Sequence, residues 1–555
     1  MALGAKVLII GIDGGSFDIL RPLTEQGVMP RLRHILEEGI AGDLTTTMPP
    51  ITAAAWTSFA TGVNPGRHGL VDFVYFPGCG YHVAVASSRD VRAPTVWDIA
   101  GDQGREVGII GVPMTYPPQR VNGFLISDFM TPPGSRNFTH PPELQDELES
   151  AVGPFVTYEG EGIAPWDIPR FAQRLVRDVQ ARVNAAVYLF ERYEPDLSVF
   201  VFQSLDGLQH RFHRILDIND PHHNPRESVL YRDDLLLVYR AVDEGIGRLR
   251  VAVGEQAVVF LMSDHGFGPL YGFIHLNNWL RERGYLVLRR DLLTALRYAL
   301  FRAGFTPEMA HKLSQVLGLD LRYKVNRGQA FGALRRIFLS FDNVDWGRTR
   351  AYALGHIGQV FINVRGRQPQ GAVAPGIEYE ALCDKLIAEL LALKHPITGE
   401  HLIAHVYRRE QLYSGPQVEH LPDLLLEPRE FRYVAFGESE FASNRIVGAS
   451  FGHSGHHRMN GVFAATGPGV CTGKQLKGTR IIDIAPTVLY TLGCAIPEGL
   501  DGQVLKDIFQ PERLSSHPPR YMESRGVDQP GSSDGYSEEE EAAVRQRLRN
   551  LGYIA

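Results

Sequence analysis

The sequence predicts an α/β fold in which a mostly parallel central sheet is flanked by helices. Short apolar runs alternate with longer amphipathic stretches over the first 290 residues. Such runs are typical of strands buried on both faces, and their alternation with helical patterns is typical of βαβ units. The predicted strands are VLIIGID (7–13), EVGIIGVP (106–113), LSVFVFQSLD (197–206) and AVVFLMSDHG (257–266).

Amphipathic patterns predict helices between and after these strands. MPRLRHILEEG and FAQRLVRDVQARVNAAVYLFERY are two examples, each with apolar residues at helical spacing. The sequence pattern changes near residue 290: from there to about residue 345 it is typical of helices and rich in arginine. A strand (QVFINVRG) and an amphipathic helix (YEALCDKLIAELLAL) follow. We therefore predict an inserted helical lid and α/β cap over 290–445.

Two readings of the arginine-rich segment stay open. It is either a solvated helical insertion whose leucines pack inward, or a lid whose basic face steers an anionic substrate. The core is expected to resume after the cap with the strand GVFAATGP and the helix RIIDIAPTVLYTLG. The predicted catalytic core is thus 1–289 together with 446–512.

Residues 513–555 are predicted to form a linker and a C-terminal helix. The linker is rich in Pro, Ser and Gly. Ser537 and Glu540 then have the spacing of a capping box, which marks a helix start. Val544, Leu548 and Leu551 share one face of that helix.

Composition narrows the class of protein. The formal net charge is −7, so no global basic field indicates binding to a nucleic acid polymer. The four cysteines, Cys79, Cys383, Cys471 and Cys494, lack CxxC spacing, which argues against a disulfide scaffold or a thiolate metal site. The N-terminal apolar run is too short for a signal peptide, and no membrane span is predicted. We expect a cytoplasmic protein.

Three predicted strands carry an aspartate at or just beyond their carboxyl ends: Asp13, Asp206 and Asp264. The carboxyl ends of parallel strands meet at one edge of a sheet, where ligands bind in α/β folds. One such aspartate often marks only a tight turn. Three at the same predicted edge indicate a shared site.

Histidines accompany two of these aspartates. Asp206 and His210 are spaced i, i+4, and His265 directly follows Asp264. By itself, the i, i+4 pair is more often a structural hydrogen bond than a metal site. A loop with His453, His456 and His457 (FGHSGHHRMNG) precedes the last core strand. Oxygen and imidazole donors without thiolates suit zinc, manganese or iron, and the number of groups is right for two ions.

Thr52 lies where a helix is predicted to begin, in PPITAAAWTSFATG. Its hydroxyl is either an N-cap or a nucleophile at the positive end of a helix dipole. The stretch alone favours the cap.

The residues resemble, in their order along the chain, the motifs of the alkaline phosphatase superfamily, and within it those of the type I phosphodiesterase/nucleotide pyrophosphatase-like branch. That order is Asp13, Thr52, Asp206 with His210, Asp264 with His265, and His457. The resemblance implies an alkaline-phosphatase-like core and Thr52 as nucleophile. It also implies that two sets of residues hold two divalent ions. The first set is Asp13, Thr52, Asp264 and His265, and the second is Asp206, His210 and His457, with His453 and His456 as competitors for the last place.

The implied activity is a metal-dependent phosphohydrolase of phosphodiesterase type that acts on small anionic phosphate esters through a phosphothreonine intermediate. Zinc is the expected metal, with manganese open. A phosphomutase or phosphoryl transferase is the main alternative, followed by a sulfatase or a phosphomonoesterase. Arg67, His68 and Arg458 are candidate substrate contacts. Phe73 stands where nucleotide pyrophosphatases carry a phosphate-binding asparagine, which weakens the case for nucleotide substrates.

Overall fold

The computed structural model describes most of the 555-residue chain. The described residues are 5–77, 80–158, 167–316, 337–437, 439–450, 452–523 and 535–551. Cys79, much of the predicted arginine-rich helical segment and part of the predicted linker lie outside these residues. The other three cysteines are buried free thiols.

A nine-stranded sheet forms the centre of the molecule, in the order β20-β2-β19-β9-β1-β8-β5-β6-β7. Five of its pairings are parallel and three are antiparallel, so the predicted mostly parallel α/β sheet is confirmed. The antiparallel pairings all involve β19 or the edge strand β7. The strands are β1 Val7–Ile12, β2 Ile40–Thr45, β5 Val107–Ile110, β6 Gly123–Ile126, β7 Thr139–His140, β8 Leu197–Phe202, β9 Val258–Met262, β19 Asn460–Thr466 and β20 Gln475–Arg480.

Helices cover both faces of this sheet. Alternate residues of β1 point to opposite sides: Leu8 and Ile10 enter one hydrophobic cluster, and Val7 and Ile9 enter another. The helices of the described residues are α1 Phe17–Glu25, α2 Pro30–Glu38, α3 Thr52–Thr61, α4 Pro65–His68, α5 Val96–Asp102, α6 Leu144–Val152, α7 Ile168–Tyr193, α8 Ser204–Leu216, α9 Pro225–Val253, α10 Leu276–Glu282, α11 Leu292–Arg302, α12 Pro307–Val316, α13 Ile377–Leu391, α14 Arg409–Leu412, α15 Ile484–Thr491, α16 Pro511–Ser516 and α17 Glu538–Leu551. Helices α1, α2 and α6–α9 pack on one face, and α3, α5 and α15 pack on the other.

A second sheet of four strands lies within the predicted cap, in the order β12-β13-β15-β14. Its strands are β12 Ala351–Ala353, β13 Gln359–Ile362, β14 Ile403–Arg408 and β15 Leu424–Pro428. Helix α13 packs its buried leucines on this sheet. The prediction of a strand at QVFINVRG and a helix at YEALCDKLIAELLAL is therefore confirmed. The domain boundaries themselves stay a prediction.

Short sheets connect the parts of the chain. One of them, β16-β11-β17, pairs a strand of the predicted cap with two strands of the predicted core. The short strands are β3 Val74–Tyr75, β4 Ala84–Val85, β10 Gly266–Pro269, β11 Gly272–His275, β16 Tyr433–Phe436, β17 Val447–Ala449, β18 Gly455–Arg458, β21 Ile496–Pro497 and β22 Tyr521–Met522. β10 pairs with β18, which carries the late histidines to the edge of the central sheet.

The C-terminal helix α17 is an integral part of the fold. Ser537 and Glu540 form the predicted capping box: each backbone N–H donates to the other's side chain, over 2.9 and 3.3 Å. Val544, Leu548 and Leu551 are buried in a hydrophobic cluster shared with residues of the core and the cap. Among the described residues, no helix combines the length and the apolar character needed to cross a bilayer. The cytoplasmic location stays a prediction.

Replacing Leu548 by Ala should lower the free energy of unfolding by about 2–5 kcal/mol, since Leu548 is fully buried and the smaller side chain leaves a cavity. Urea denaturation followed by circular dichroism measures this change. Leu230 is 66% exposed on α9, so Leu230→Ala is the matched control and should change stability by only about 0.5 kcal/mol. Equal effects of the two substitutions would show that α17 does not pack as described.

Candidate active site

Helix α3 starts one residue earlier than a capping role for Thr52 requires. Ile51 is the N-cap residue, in extended conformation (φ −117°, ψ 132°), and Thr52 is the first helical residue. The Thr52 hydroxyl contacts His265 and not an amide of the first helical turn. It is fully buried and lies 3.2 Å from Nε2 of His265. The interpretation of Thr52 as an N-cap is therefore wrong, because its side chain points across to a different strand end.

Trp56 determines how α3 lies on the sheet. Its ring packs directly on Gly11 of β1, where a Cβ atom would come within 2.4 Å of the indole. The indole N–H also points at Oδ2 of Asp13, at a nitrogen–oxygen distance of 3.4 Å. A glycine at position 11 thus permits the close approach that brings the start of α3 over the end of β1.

The first acidic cluster consists of Asp13, Asp264 and His265. Their candidate ligand atoms all lie within 4.8 Å of one another, and all three residues are buried. Nε2 of His265 is 3.2 Å from Oδ2 of Asp264 and 3.6 Å from Oδ1 of Asp13. The register explains this meeting, because β1 pairs with β9 in parallel and both aspartates lie just beyond the strand ends.

The second cluster consists of Asp206, His210 and His457, which are also buried within 4.8 Å of one another. Helix α8 begins just after β8, so Asp206 and His210 lie one turn apart on the same face. β18 brings in His457, whose Nε2 is 3.3 Å from Oδ1 of Asp206. His457, from the histidine-rich loop of the sequence, thus lies beside the predicted i, i+4 pair of Asp206 and His210.

All three histidines of the two clusters point Nε2 inward. Their Nδ1 atoms lie 3.1 Å from Gly455 O for His210, 2.8 Å from Pro50 O for His457 and 3.1 Å from Gly266 O for His265. A carbonyl only accepts, so each Nδ1 carries a proton, and in the neutral form of each ring the lone pair is at Nε2.

The facing lone pairs fit a cation. Nε2 of His210 and Nε2 of His457 are 3.0 Å apart, and two acceptors at this distance form no hydrogen bond while both rings are neutral. In the first cluster, the buried atoms Asp13 Oδ1 and Asp264 Oδ2 receive no hydrogen bond among the described residues. Buried carboxylates of this kind require a compensating positive charge.

The pKa shifts of the site residues also indicate that the clusters lack positive charge. Burial, and then repulsion from Asp264 and Asp206, raises the pKa of Asp13 well above its ordinary value. Burial and repulsion from Asp206 do the same to the pKa of Asp264. Burial also opposes ionisation of Asp206, but attraction to His210 and His457, which acts when those rings are protonated, outweighs it and holds the pKa of Asp206 well below its usual range. Burial lowers the pKa of both His265 and His457, so their rings stay neutral and able to bind a metal.

The two clusters adjoin each other. The rings of His265 and His457, one from each cluster, stack with centroids 3.5 Å apart. Six side chains from four parts of the chain thus surround one buried space beside Thr52. Carboxylate oxygens and imidazole nitrogens are donors that suit zinc, manganese or iron, and the residues present fit two such ions.

The structure gives Arg67 and His68 partners elsewhere. Arg67 donates to the carbonyl of Gly499 and forms an ion pair with Asp501 at 3.3 Å. His68 is buried against Ser58, with 2.7 Å between its Nε2 and the hydroxyl oxygen. Burial lowers the pKa of His68 to about 3, so the ring is neutral. Ser58 lies six residues along α3 from Thr52, about 9 Å at the usual helical rise.

Arg458 and Phe73 are likewise engaged in the interior. The guanidinium of Arg458 donates to the backbone carbonyls of Phe431, His456, His457 and Pro269. Burial lowers the pKa of Arg458 to about 10, and these carbonyls stabilise the charge that remains. Phe73 is fully buried and contacts Phe129 edge to face, at 5.8 Å between ring centroids.

The cap contributes a histidine that sequence patterns gave no reason to select. His356 is buried, and its Nδ1 lies 3.0 Å from Oδ1 of Asp72 in the core. Gln359 donates to the other oxygen of Asp72 over 2.6 Å. Burial, followed by the neighbouring imidazoles including His356, lowers the pKa of His456 well below its ordinary value. The contact between His356 and Asp72 joins segments 284 residues apart and ties the predicted cap to the core.

Comparison with known families agrees with this geometry. A profile of the type I phosphodiesterase / nucleotide pyrophosphatase family matches residues 7–450, most of the chain. The chain belongs to the type I phosphodiesterase / nucleotide pyrophosphatase family. It is accordingly a phosphoric ester hydrolase, as predicted. The match ends before His457, whose place in the site rests on geometry alone. The comparison with curated proteins gives no match.

Solved structures show the same fold at low sequence identity. One is phosphonoacetate hydrolase from Sinorhizobium meliloti 1021 in complex with phosphonoformate, which is 14% identical in sequence and gives a TM-score of 0.55. The alignment covers 89% of this chain and 97% of that one. Its complex with phosphonoacetate gives the same identity and coverage with a TM-score of 0.51. Human ectonucleotide pyrophosphatase/phosphodiesterase 5 is 13% identical with a TM-score of 0.49, over 92% of this chain and 99% of that one. The predicted alkaline-phosphatase-like fold is thus confirmed.

Replacing Asp13 by Asn should have opposite effects on the metal-free and the metal-loaded protein. Because the pKa of Asp13 is higher in the folded than in the unfolded chain, its favourable contribution is present below about pH 4 and is lost as the pH rises. At neutral pH, Asp13→Asn should therefore stabilise the chelator-treated protein by about 1–3 kcal/mol. The same variant should gain less thermal stability than the wild type when zinc or manganese is added.

Thermal unfolding with chelator and with metal measures both effects. Asp43 is exposed on β2, so Asp43→Asn serves as the control and should behave like the wild type in both conditions. A destabilised metal-free Asp13→Asn variant would contradict the description of this cluster as short of positive charge.

Proposed function

We propose that this hydrolase cleaves phosphate esters, with a preference for diesters, through a phosphothreonine intermediate at Thr52. The observation that carries the proposal is the position of the Thr52 hydroxyl. It is buried at the first residue of α3, 3.2 Å from Nε2 of His265, and His265 stacks on His457 of the second cluster. A nucleophile is expected at this junction of the two clusters.

Helix α3 prepares the hydroxyl for this role. The first amides of a helix have no partners within the helix and point outward along its axis. Together with the helix dipole, they favour negative charge at its N-terminus. Phosphate bound there receives hydrogen bonds at a non-bridging oxygen, while Thr52 Oγ1 lies beside the phosphorus. The burial of Thr52 also keeps bulk water away from the attacking oxygen.

Each of the two clusters would bind one metal ion. Asp13, Asp264 and His265, together with Thr52, would hold one divalent ion, and Asp206, His210 and His457 would hold the other. Zinc is our first choice and manganese our second, since carboxylates and imidazoles suit both. Bound ions would lower the pKa of the Thr52 hydroxyl and offset negative charge on the attacking and leaving oxygens.

The reaction then has two displacements at phosphorus. Thr52 Oγ1 forms a bond to phosphorus as the bond to the leaving oxygen breaks, and the threonine proton ends on that oxygen, which departs as an alcohol. Water next attacks the phosphorus of the phosphothreonine, releases a phosphate monoester and returns the threonine hydroxyl. Backbone carbonyls hold His265, His210 and His457 in one tautomer throughout, which keeps their Nε2 atoms directed at the site.

The main alternative is transfer of the phosphoryl group to an alcohol instead of water, as in a phosphomutase. Turnover in water labelled with oxygen-18 distinguishes the two. Hydrolysis places one labelled oxygen in the released phosphate, whereas transfer to an alcohol leaves the phosphoryl group unlabelled. We expect label in the phosphate.

Replacing Thr52 by Ala should reduce turnover of a bis-aryl phosphate ester by about a thousandfold or more, because no other hydroxyl takes the place of the nucleophile. Bound metal should stay close to the wild-type amount, because the Asp and His residues of both clusters remain. Thr52→Ser should retain part of the activity. The measurements are steady-state kinetics and elemental analysis of the dialysed proteins.

Thr57→Ala is the matched control on the same helix. Thr57 is buried and its hydroxyl donates to the carbonyl of Ala53, away from both clusters. This variant should keep near wild-type turnover. If Thr52→Ala were as active as Thr57→Ala, the phosphothreonine mechanism would have to be abandoned.

A further inference from the structure

Helix α11 of the predicted lid presents its most apolar face outward. Leu292 is 92% exposed, Leu293 is 56% exposed and Leu296 is 59% exposed. Leu292 and Leu296 are one turn apart and so lie on the same side of the helix. Leucine is normally among the most buried residues, and three exposed together need an explanation that a single exposed leucine does not.

The opposite side of α11 is the one that holds it to the protein. Phe301 and Thr294 are both 2% exposed, and the Phe301 ring contacts Phe441 edge to face. The helix is also capped, since Asp291 accepts hydrogen bonds from the backbone N–H and the hydroxyl of Thr294. The outward leucines are therefore fixed on an anchored helix and are not its core-facing stripe. The expectation that the leucines of this segment pack inward is wrong for Leu292, Leu293 and Leu296.

Basic residues flank the exposed leucines. Arg289 and Arg290 precede α11 and Arg302 ends it, and all three are exposed. Neither Arg290 nor Arg302 forms an ion pair among the described residues, while Arg289 lies 4.0 Å from Asp291. We call Arg289, Arg290, Leu292, Leu293, Leu296 and Arg302 the α11 surface.

The charge of the α11 surface is opposite to that of the whole chain. The formal net charge of the protein is −7, yet residues 289–316 hold five Lys or Arg against two Asp or Glu. Residues 289–316, which include the exposed leucines, are thus basic overall.

We propose that the α11 surface docks the protein on an anionic lipid bilayer. Leucines that enter the acyl boundary and arginines that reach the phosphate headgroups are the two parts of interfacial membrane binding. A nucleic acid would match the arginines and leave the leucines exposed to water. A second copy of this chain would bring like charges together. An anionic bilayer accounts for both the exposed leucines and the exposed arginines of the α11 surface.

The experiment is co-sedimentation of the full-length, metal-loaded protein with sucrose-filled vesicles. One set is phosphatidylcholine alone and the other contains equal parts of phosphatidylcholine and phosphatidylglycerol. The protein should bind the second set, and binding should weaken as salt is raised, because exposed charges are screened. Binding to neither set, or equal binding to both, overturns the proposal.

Two variants test the two halves of the surface. Leu292→Ser with Leu296→Ser should reduce binding by about tenfold or more, because less apolar area leaves water. Arg290→Ala should reduce it about fivefold at low salt. Ile377 is 90% exposed elsewhere in the cap, so Ile377→Ser is the matched control and should bind like the wild type.

Every variant should keep wild-type turnover of a soluble aryl phosphate ester, which shows that the chain is folded and makes the result independent of the proposed mechanism. Vesicle binding that survives Leu292→Ser with Leu296→Ser contradicts the proposal. So does an α11-dependent dimer in size-exclusion chromatography, or retention of an oligonucleotide in place of vesicles.

Discussion

The concentration of negative charge at one edge of the central sheet is the constraint on which the site depends. Parallel pairing of β1 with β8 and β9 places Asp13, Asp206 and Asp264 together in the interior. Three buried carboxylates are tolerable only with compensating positive charge. Neutral imidazoles held by backbone carbonyls do not supply it, and they leave lone pairs directed at the same space. In our proposal, bound metal ions supply this charge and stabilise the site beyond what the metal-free protein attains.

The start of helix α3 adds Thr52 to the site at this edge of the sheet. The contact of Trp56 with Gly11 brings the helix close enough for Thr52 to reach His265. The predicted cap is joined to the core by the hydrogen bond between His356 and Asp72. The site itself is assembled from the sheet edge, the start of α3 and the short strand β18 that carries His457.

Much of this was predictable from the sequence because it follows from local patterns. Apolar runs with terminal aspartates located the strand ends, and parallel topology brings such ends together. The direction of the Thr52 hydroxyl was harder to predict from the sequence. It depends on whether Thr52 or Ile51 is the N-cap residue, which the backbone conformation decides. His356 and the burial of His68 were not predictable, because both depend on contacts between segments that share no local pattern. The outward leucines of α11 were missed for the same reason, since helical spacing alone does not say which face is covered.

Our proposal places two metal ions in the two clusters beside Thr52. Anomalous X-ray scattering from crystals of the zinc-loaded protein, recorded at the zinc absorption edge, locates such ions. We expect one anomalous peak among Asp13, Asp264 and His265 and a second among Asp206, His210 and His457. A single peak, or peaks only at surface histidines, would contradict the proposal.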